Sequence, residues 1–262
     1  MRRWSAPDCA LVGRDRARWR SEPSRTFAPS CGETRPFRGR VSSYWASVTM
    51  RYTIGPIPST DAALAFACHR RLAATDPHLF PRTASDIRLF AENSELFGVR
   101  EATSRQLVGL NYVVLDQAHK PPAWEIGGLT VDPACRGSGL GLALVGFSLA
   151  HTLTFQMPWA NGQIIVAHIH AENNNPRGIF QRLMFRYSAQ VEIPGHRAPA
   201  SMKRNAKGTV VGDELRFDPE GVPSLLDALS WGESGQLHNG DEIVVEQGAA
   251  DIKQILRALR EL

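Results

Sequence analysis

The sequence predicts a mixed α/β sheet flanked by helices. Three patterns predict it. Segments of helical and strand-like hydrophobic period alternate from Met50 onward, three strand-like runs follow one another with turn signals between them, and a further strand lies between two helices. The chain has 262 residues, 43% hydrophobic and 21% charged, enough to bury a sizeable core.

The elements read in order. Residues 51–54 form a short strand, and Ser59 or Thr60 stands where a cap belongs for a helix over about 61–74, with Leu64, Phe66, Ala67 and Leu72 among its apolar positions. A second helix covers 85–94 with Ser85 as its cap. Strands follow at 96–101, 106–115 and 124–131, then a helix at 140–155 and a strand, "QIIVAHIHA", at 163–171. A shorter helix runs over 176–184, with Pro176 suited to its first turn. Residues 188–193 read as a strand, and 209–211 and 214–217 as a pair joined at Gly212-Asp213. A helix at 224–230, a strand at 242–246 and an amphipathic helix at 249–261 complete the chain. Residues 50–193 read as the core. Residues 194–262 form an extension that completes the sheet, covers a binding site or builds a homodimer contact.

Residues 1–49 stand apart. They hold ten arginines, no lysine and four acids (Asp8, Asp15, Glu22, Glu33), a net charge of +6. Few aliphatics and no sustained period leave too little apolar surface to offset the entropy of ordering. Three readings stay open: a disordered arm, an Arg/Ser-rich targeting peptide (against which the acids count), or sequence upstream of a true start at Met50. The rest of the chain carries 20 basic and 22 acidic residues, so the basic balance gives no reason to expect a nucleic-acid partner. No run approaches the roughly 18 apolar residues of a membrane span. Cys9, Cys31, Cys68 and Cys135 lack C-x-x-C spacing, which argues against a zinc module or disulfide framework and fits a reducing, cytoplasmic setting.

The most informative stretch is "VDPACRGSGLGLALV", from Val131 to Val145. A strand ending in a glycine-spaced turn that opens a helix makes an anion site, because free N–H groups and the helix dipole both favour phosphate oxygens. Arg136 adds a forked donor. A dinucleotide fingerprint counted from Gly137 needs glycine at 142, where Leu142 stands, and no lysine follows to make a P-loop.

The stretch does contain R-x-x-G-x-G, as Arg136, Gly139 and Gly141, preceded by "LTVDP" and followed by an apolar helix. It resembles the pyrophosphate loop of the GCN5-related N-acetyltransferases, the GNAT superfamily. A second signature of that family, N-x-x-A-x-x-L-Y-x-x-x-G-F, is similar to "NNNPRGIFQRLMF", with Asn173, Phe180 and Phe185 at matching positions. The element order over about 50–193 also agrees.

The resemblance implies a transferase that uses acetyl-CoA or another acyl-CoA, with no metal, and an acceptor that is a small-molecule or protein amine. The acyl donor would lie between splayed parallel strands, 124–131 and 163–171, opened by a bulge at Gly127-Gly128. Backbone groups of Leu129, Thr130 and Val131 would pair with the pantetheine arm. N–H groups of Gly137, Ser138, Gly139, Leu140, Gly141 and Leu142, with Arg136, would hold the pyrophosphate, Asn173 would touch the pantetheine region, and Phe180 would count among the cofactor-binding residues. Asn175 more simply supplies the cap for the helix at Pro176.

An alkyl ammonium must lose a proton before it attacks, which costs about 4 kcal/mol at pH 7. Glu125, six residues before Val131, stands where the histone-type branch of the family has a glutamate base. His168 and His170, on one face of the neighbouring strand, are alternatives. Their spacing would also suit a metal, but the sequence indicates no third ligand. Phe180 stands where the family has a tyrosine proton donor, and Met184 replaces its glycine, so a donor must come from elsewhere; Tyr187 is nearby in sequence. Phe180 keeps a second reading open, an acyl-CoA-binding sensor of weak catalytic power. A third is a mixed α/β domain without a cofactor.

Overall fold

Alternating β-branched and aromatic residues set the strands, and amphipathic or wholly apolar runs set the helices, in a computed structural model that describes residues 49–194, 198–199, 202–246 and 251–262. The expected extension thus falls, but for Thr49, outside the described residues, as do the first two positions assigned to the last helix. Among the described residues the order is β1 (Arg51–Pro56), α1 (Ala62–Ala73), α2 (Ala84–Glu92), β2 (Leu96–Glu101), β3 (Leu107–Asp116), β4 (Ala123–Val131), α3 (Leu140–Gln156), β5 (Ile164–His170), α4 (Asn174–Arg182), β6 (Phe185–Pro194), β7 (Thr209–Phe217), α5 (Val222–Ala228), α6 (Trp231–Ser234), β8 (Glu242–Val245) and α7 (Ile252–Arg260).

These strands form one mixed sheet in the order β6-β7-β5-β4-β3-β2-β1-β8. The β4–β5 and β1–β8 pairs are parallel and the others antiparallel. The predicted α/β class is therefore the observed one. Segments beyond residue 194 supply β7, inserted between β5 and β6, and β8, paired with β1.

Helix α3 is apolar on every side because it is covered on every side. It lies between the sheet at β2–β4 and the helices α4, α5 and α7, with Leu144, Phe147 and Leu149 wholly buried. Its Ser148 is buried too, and accepts a 2.7 Å hydrogen bond from Asn111 Nδ2 of β3. The opposite face carries α1 and α2, packed over a second cluster that includes Ile57, Leu72, Ile87, Leu110 and Tyr112. Trp124, Ile126, Ile165 and Ala167 point into the α3 core, whereas Ala123, Ile164 and Val166 form a small cluster apart from it. By strand alternation Glu125 and His168 share that second face.

Four local expectations are corrected. The cap of α2 is Thr83, not Ser85: Thr83 Oγ1 accepts from Asp86 N at 3.1 Å while Asp86 Oδ2 accepts from Thr83 N at 3.0 Å. Such a reciprocal box needs an acid three residues on, and Ser85 is followed there by Arg88. Neither Ser59 nor Thr60 caps α1. Both lie in a 3₁₀ turn, Ser59–Asp61, that leads into the helix, and Asp61 pairs with the buried Arg100 at 2.6 Å instead of capping. Asn175 lies inside α4, whose cap position is Asn173, without a side-chain bond.

Residues 209–217 form one strand rather than a hairpin. Gly212 and Asp213 lie opposite His170 and Ile169 of β5 and Val191 and Gln190 of β6. A Cβ at Gly212 would come 3.1 Å from Ile169 O, so this glycine permits close strand approach, not a turn.

Candidate active site

After β4 the chain turns tightly. Asp132 N donates to Val108 O at 2.7 Å, and the Asp132 carboxylate accepts from Ala134 N at 3.1 Å, capping the 3₁₀ turn Pro133–Cys135. Ser138 Oγ donates to Cys135 O at 2.7 Å, and α3 starts two residues later. Gly137 and Gly139 take φ of +84° and +96°, conformations that L side chains rarely adopt. At Gly141 the reason is proximity, since a Cβ would lie 3.0 Å from Ile179 of α4. The loop thereby presents the first-turn N–H groups of α3, which have no intrahelical acceptor.

A cavity of about 440 Å³ opens in front of these groups. Of the predicted binding residues, Leu129, Thr130, Val131, Arg136, Gly137, Gly139, Leu140, Gly141 and Asn173 line it; Ser138, Leu142 and Phe180 do not. The loop from Thr75 to His78, between α1 and α2, forms the facing wall. Arg136 spans the two sides: its Nε donates to Val131 O at 3.1 Å, and Nη2 lies 3.6 Å from Asp76 Oδ2. Thr130 Oγ1 and His78 Nδ1 are buried atoms of this lining with no hydrogen-bond partner among the described residues. Buried polar groups are rarely left unpaired, so both suit a polar ligand.

The parallel strands pair only from Ala123 to Glu125, against Ile164 to Val166. Beyond that point β4 has no ladder to β5. The divergence coincides with a bulge: Leu110 faces Thr130 and Tyr112 faces Gly127, so two residues of β4 oppose one of β3. Gly128 has φ +62°, and a Cβ on Gly127 or Gly128 would lie 2.5 Å from the Tyr112 ring. Tyr112 is buried under α2, its hydroxyl held by Arg82 Nη2, with the guanidinium carbon 4.7 Å from its ring centre.

Four titratable side chains meet on the second face of the sheet, beside the point where β4 and β5 stop pairing; like His170, none of them is in the cavity lining. His168 Nδ1 lies 3.4 Å from Glu125 Oε2, and its Nε2 3.3 Å from Glu214 Oε2. His119 Nε2 reaches the same Glu214 oxygen at 3.1 Å, and His119 Nδ1 lies 2.6 Å from Pro121 O. Burial disfavours a charged ring at His168, but the two carboxylates outweigh it and push its pKa up to about 10. Glu214 is held down at about 2, chiefly by His168 and also by His119. Burial would raise Glu125; the hydrogen bond and charge of His168, with the charge of Arg82, overcome it and hold the carboxyl below its ordinary value. His170 stacks on His78 with ring centres 5.0 Å apart, and burial plus His78 lower its pKa.

Residues 111–192 match the family model described as FR47-like protein, a GNAT-type domain. That segment contains the bulge, the loop, both splayed strands and α4. The matched segment is thus a GNAT-type domain within the mixed α/β sheet. No curated protein matches the sequence. Among solved structures, an acetyltransferase of the GNAT family from Streptococcus pneumoniae aligns at 12% identity over 64% of this chain and 99% of its own, with a TM-score of 0.47. Diaminobutyrate acetyltransferase EctA from Paenibacillus lautus, in complex with L-2,4-diaminobutyric acid and coenzyme A, aligns at 9% identity over 64% and 95%, TM-score 0.49. NAA60 of Arabidopsis thaliana, in complex with acetyl-CoA, aligns at 13% over 63% and 98%, TM-score 0.48.

Within this domain the second signature is split between two environments. Asn173 lines the cavity, whereas Phe180 is 3% exposed and packs edge-on against Phe185 at 5.0 Å. Met184, at the family's glycine position, keeps a left-handed φ of +61°. Tyr187 lies on β6, two strands from β5, 62% exposed and outside the cavity lining. Sequence reasoning missed Glu214, His119, Asp76 and His78. Only Glu214 carried a usable signal, because reading 209–217 as one alternating strand puts it across from His168. Among the described residues no group of His, Cys, Asp and Glu is arranged to hold a metal ion, and no helix is long and apolar enough to cross a membrane.

Proposed function

We propose that the chain is an N-acetyltransferase that moves an acetyl group from acetyl-CoA to the primary amine of a small molecule or a protein. One juxtaposition carries this reading. The glycine loop opens onto a wedge between two parallel strands, and the last paired residue of that wedge is a carboxylate, Glu125.

The lining suits the donor. The N–H groups of Gly137, Gly139, Leu140 and Gly141 would take the pyrophosphate oxygens, as helix N-termini do. Arg136, turned toward Asp76 at 3.6 Å, would transfer its guanidinium to a phosphate. Backbone groups of Leu129 to Val131, free of β5, would pair with the amide arm, and Thr130 Oγ1 and His78 Nδ1 would gain the partners they lack. When bound, acetyl-CoA supplies the activated thioester.

Glu125, its side chain 23% exposed, would accept the proton that an ammonium must lose. His170, held in its neutral form by burial and by His78, is the alternative acceptor. Calorimetric titration with acetyl-CoA, followed by thiol release over a panel of amines, tests the proposal. Binding with turnover of at least one amine is expected; no heat and no thermal stabilisation would end it.

One observation favours a second reading, an acyl-CoA-binding sensor. Phe180 is buried and has no proton to give, and Tyr187 is exposed away from the cavity. Tight binding without turnover across the whole panel would select the sensor.

A further inference from the structure

Acyl transfer from a thioester needs a proton for the departing sulfur. At neutral pH the array on the second face of the sheet offers one. Both ring nitrogens of His168 face carboxylate oxygens, Glu125 Oε2 at 3.4 Å and Glu214 Oε2 at 3.3 Å. With both carboxylates ionised, a ring so placed satisfies both contacts only as the imidazolium, with a proton on each nitrogen. Glu214 sits directly opposite His168 in the β5–β7 ladder, is buried, and is braced by His119 Nε2 at 3.1 Å and by the Ser188 hydroxyl. The nitrogen nearer the wedge is Nδ1, which faces Glu125 across the point where β4 and β5 part.

We infer that His168 is the proton donor of the proposed transfer, that Glu125 takes the amine's proton and returns it to His168, and that Glu214 and His119 are positioning residues. This rests on the acetyltransferase reading. Glu125 removes one proton from the ammonium, and the freed nitrogen pair forms the C–N bond at the acyl carbon. As the C–S bond breaks, leaving its electron pair on sulfur, His168 gives up its Nδ1 proton to that sulfur. The ring, now neutral and still N–H toward Glu214, regains a proton at Nδ1 from the Glu125 carboxylic acid. A second proton leaves the new amide nitrogen for solvent. Each turnover thus releases one proton and returns the protein to its starting state.

The electrostatics agree with the geometry. Burial works against a charged ring, yet Glu125 and Glu214 keep His168 protonated through the neutral range. Glu125, held low by His168 and by the charge of Arg82, passes a proton on rather than keeping it.

The test combines nitrogen NMR of the imidazoles with kinetics on the full chain. In the free protein His168 should show two protonated nitrogens at pH 7.5, titrating near 10. Glu214→Gln should lower that midpoint by roughly one unit or more, and the alkaline limb of the kcat profile should move down with it. His168→Gln should cut kcat by about 10²–10⁴-fold while leaving the Kd for acetyl-CoA unchanged. A neutral His168 at pH 7.5, an alkaline limb that stays put while the NMR midpoint moves, or near-normal kcat in His168→Gln would overturn the inference. Failure of the wild-type protein to bind acetyl-CoA is a different result, removing the acetyltransferase reading as a whole.

Discussion

Gly139 offers the cleanest separation of shape from charge in the loop. Its φ of +96° costs a non-glycine residue roughly 1–2 kcal/mol. A Cβ there would also lie 2.6 Å from His238 Cε1 and 2.7 Å from His238 Nδ1, but His238 is an exposed side chain whose ring can swing away. Gly139→Ala should therefore lower the melting temperature by several degrees and weaken acetyl-CoA modestly. Gly139→Glu adds a carboxylate where the proposed pyrophosphate would sit. Two like charges about 4 Å apart near a protein surface repel by roughly 4 kcal/mol, or about a thousandfold in Kd. Titration calorimetry on both variants, with melting curves to correct for strain, reads the difference. If Gly139→Glu binds as tightly as Gly139→Ala, the pyrophosphate does not sit on this loop.

Two further outcomes follow from buried groups. His168 is raised from 6.5 to about 10, so its stabilisation is complete below pH 6.5 and is lost as pH rises toward 10. His151, half-buried among Phe97, Phe147 and Phe155, is lowered by desolvation from 6.5 to about 4, so its contribution is complete above 6.5 and is lost as pH falls toward 4. Glu214, lowered from 4.5 to about 2, adds a loss at still lower pH. Denaturant unfolding across pH should show a maximum near 6.5, and a flat profile from pH 5 to 9 would refute this sign analysis. Ser148→Ala should cost about 1–3 kcal/mol because Asn111 Nδ2 would lose its 2.7 Å acceptor in the core, and a urea midpoint equal to wild type would count against that bond.

What the sequence made legible was local. Gly137, Gly139 and Gly141 announce themselves because backbone conformation and close approach demand glycine there, and the demand shows as spacing. Glu125 was reachable by counting along one strand. Thr83 was legible too, since Asp86 stands three residues on, but Ser85 drew the assignment because it sits nearer the apolar run. Pairings across large separations were not legible. His119 meets Glu214 across 95 positions, and nothing near either residue signals the other. Gly212-Asp213 misled for a physical reason: the same dipeptide serves a turn or a tight strand crossing, and only the Ile169 carbonyl at 3.1 Å from a would-be Cβ distinguishes them. Phe180 matched a signature in sequence yet points into the core, because a motif records helix position, not what the neighbouring elements leave open.

The placement of β7 has a consequence for the order in which the molecule is made. Its residues follow β6 in the chain but slide between β6 and β5 in the sheet, and β8 closes onto β1 from nearly two hundred residues away. A nascent chain emerged only through residue 194 would have the glycine loop and both arms of the wedge, with the β5 edge still bare and His168 facing one carboxylate instead of two. Emergence to residue 217 completes that array; emergence to 245 covers the outer edge of the first strand. The glycine loop is thus encoded early and the second carboxylate partner of His168 late, and during synthesis the bare edges of β1 and β5 are the surfaces a chaperone would have to guard.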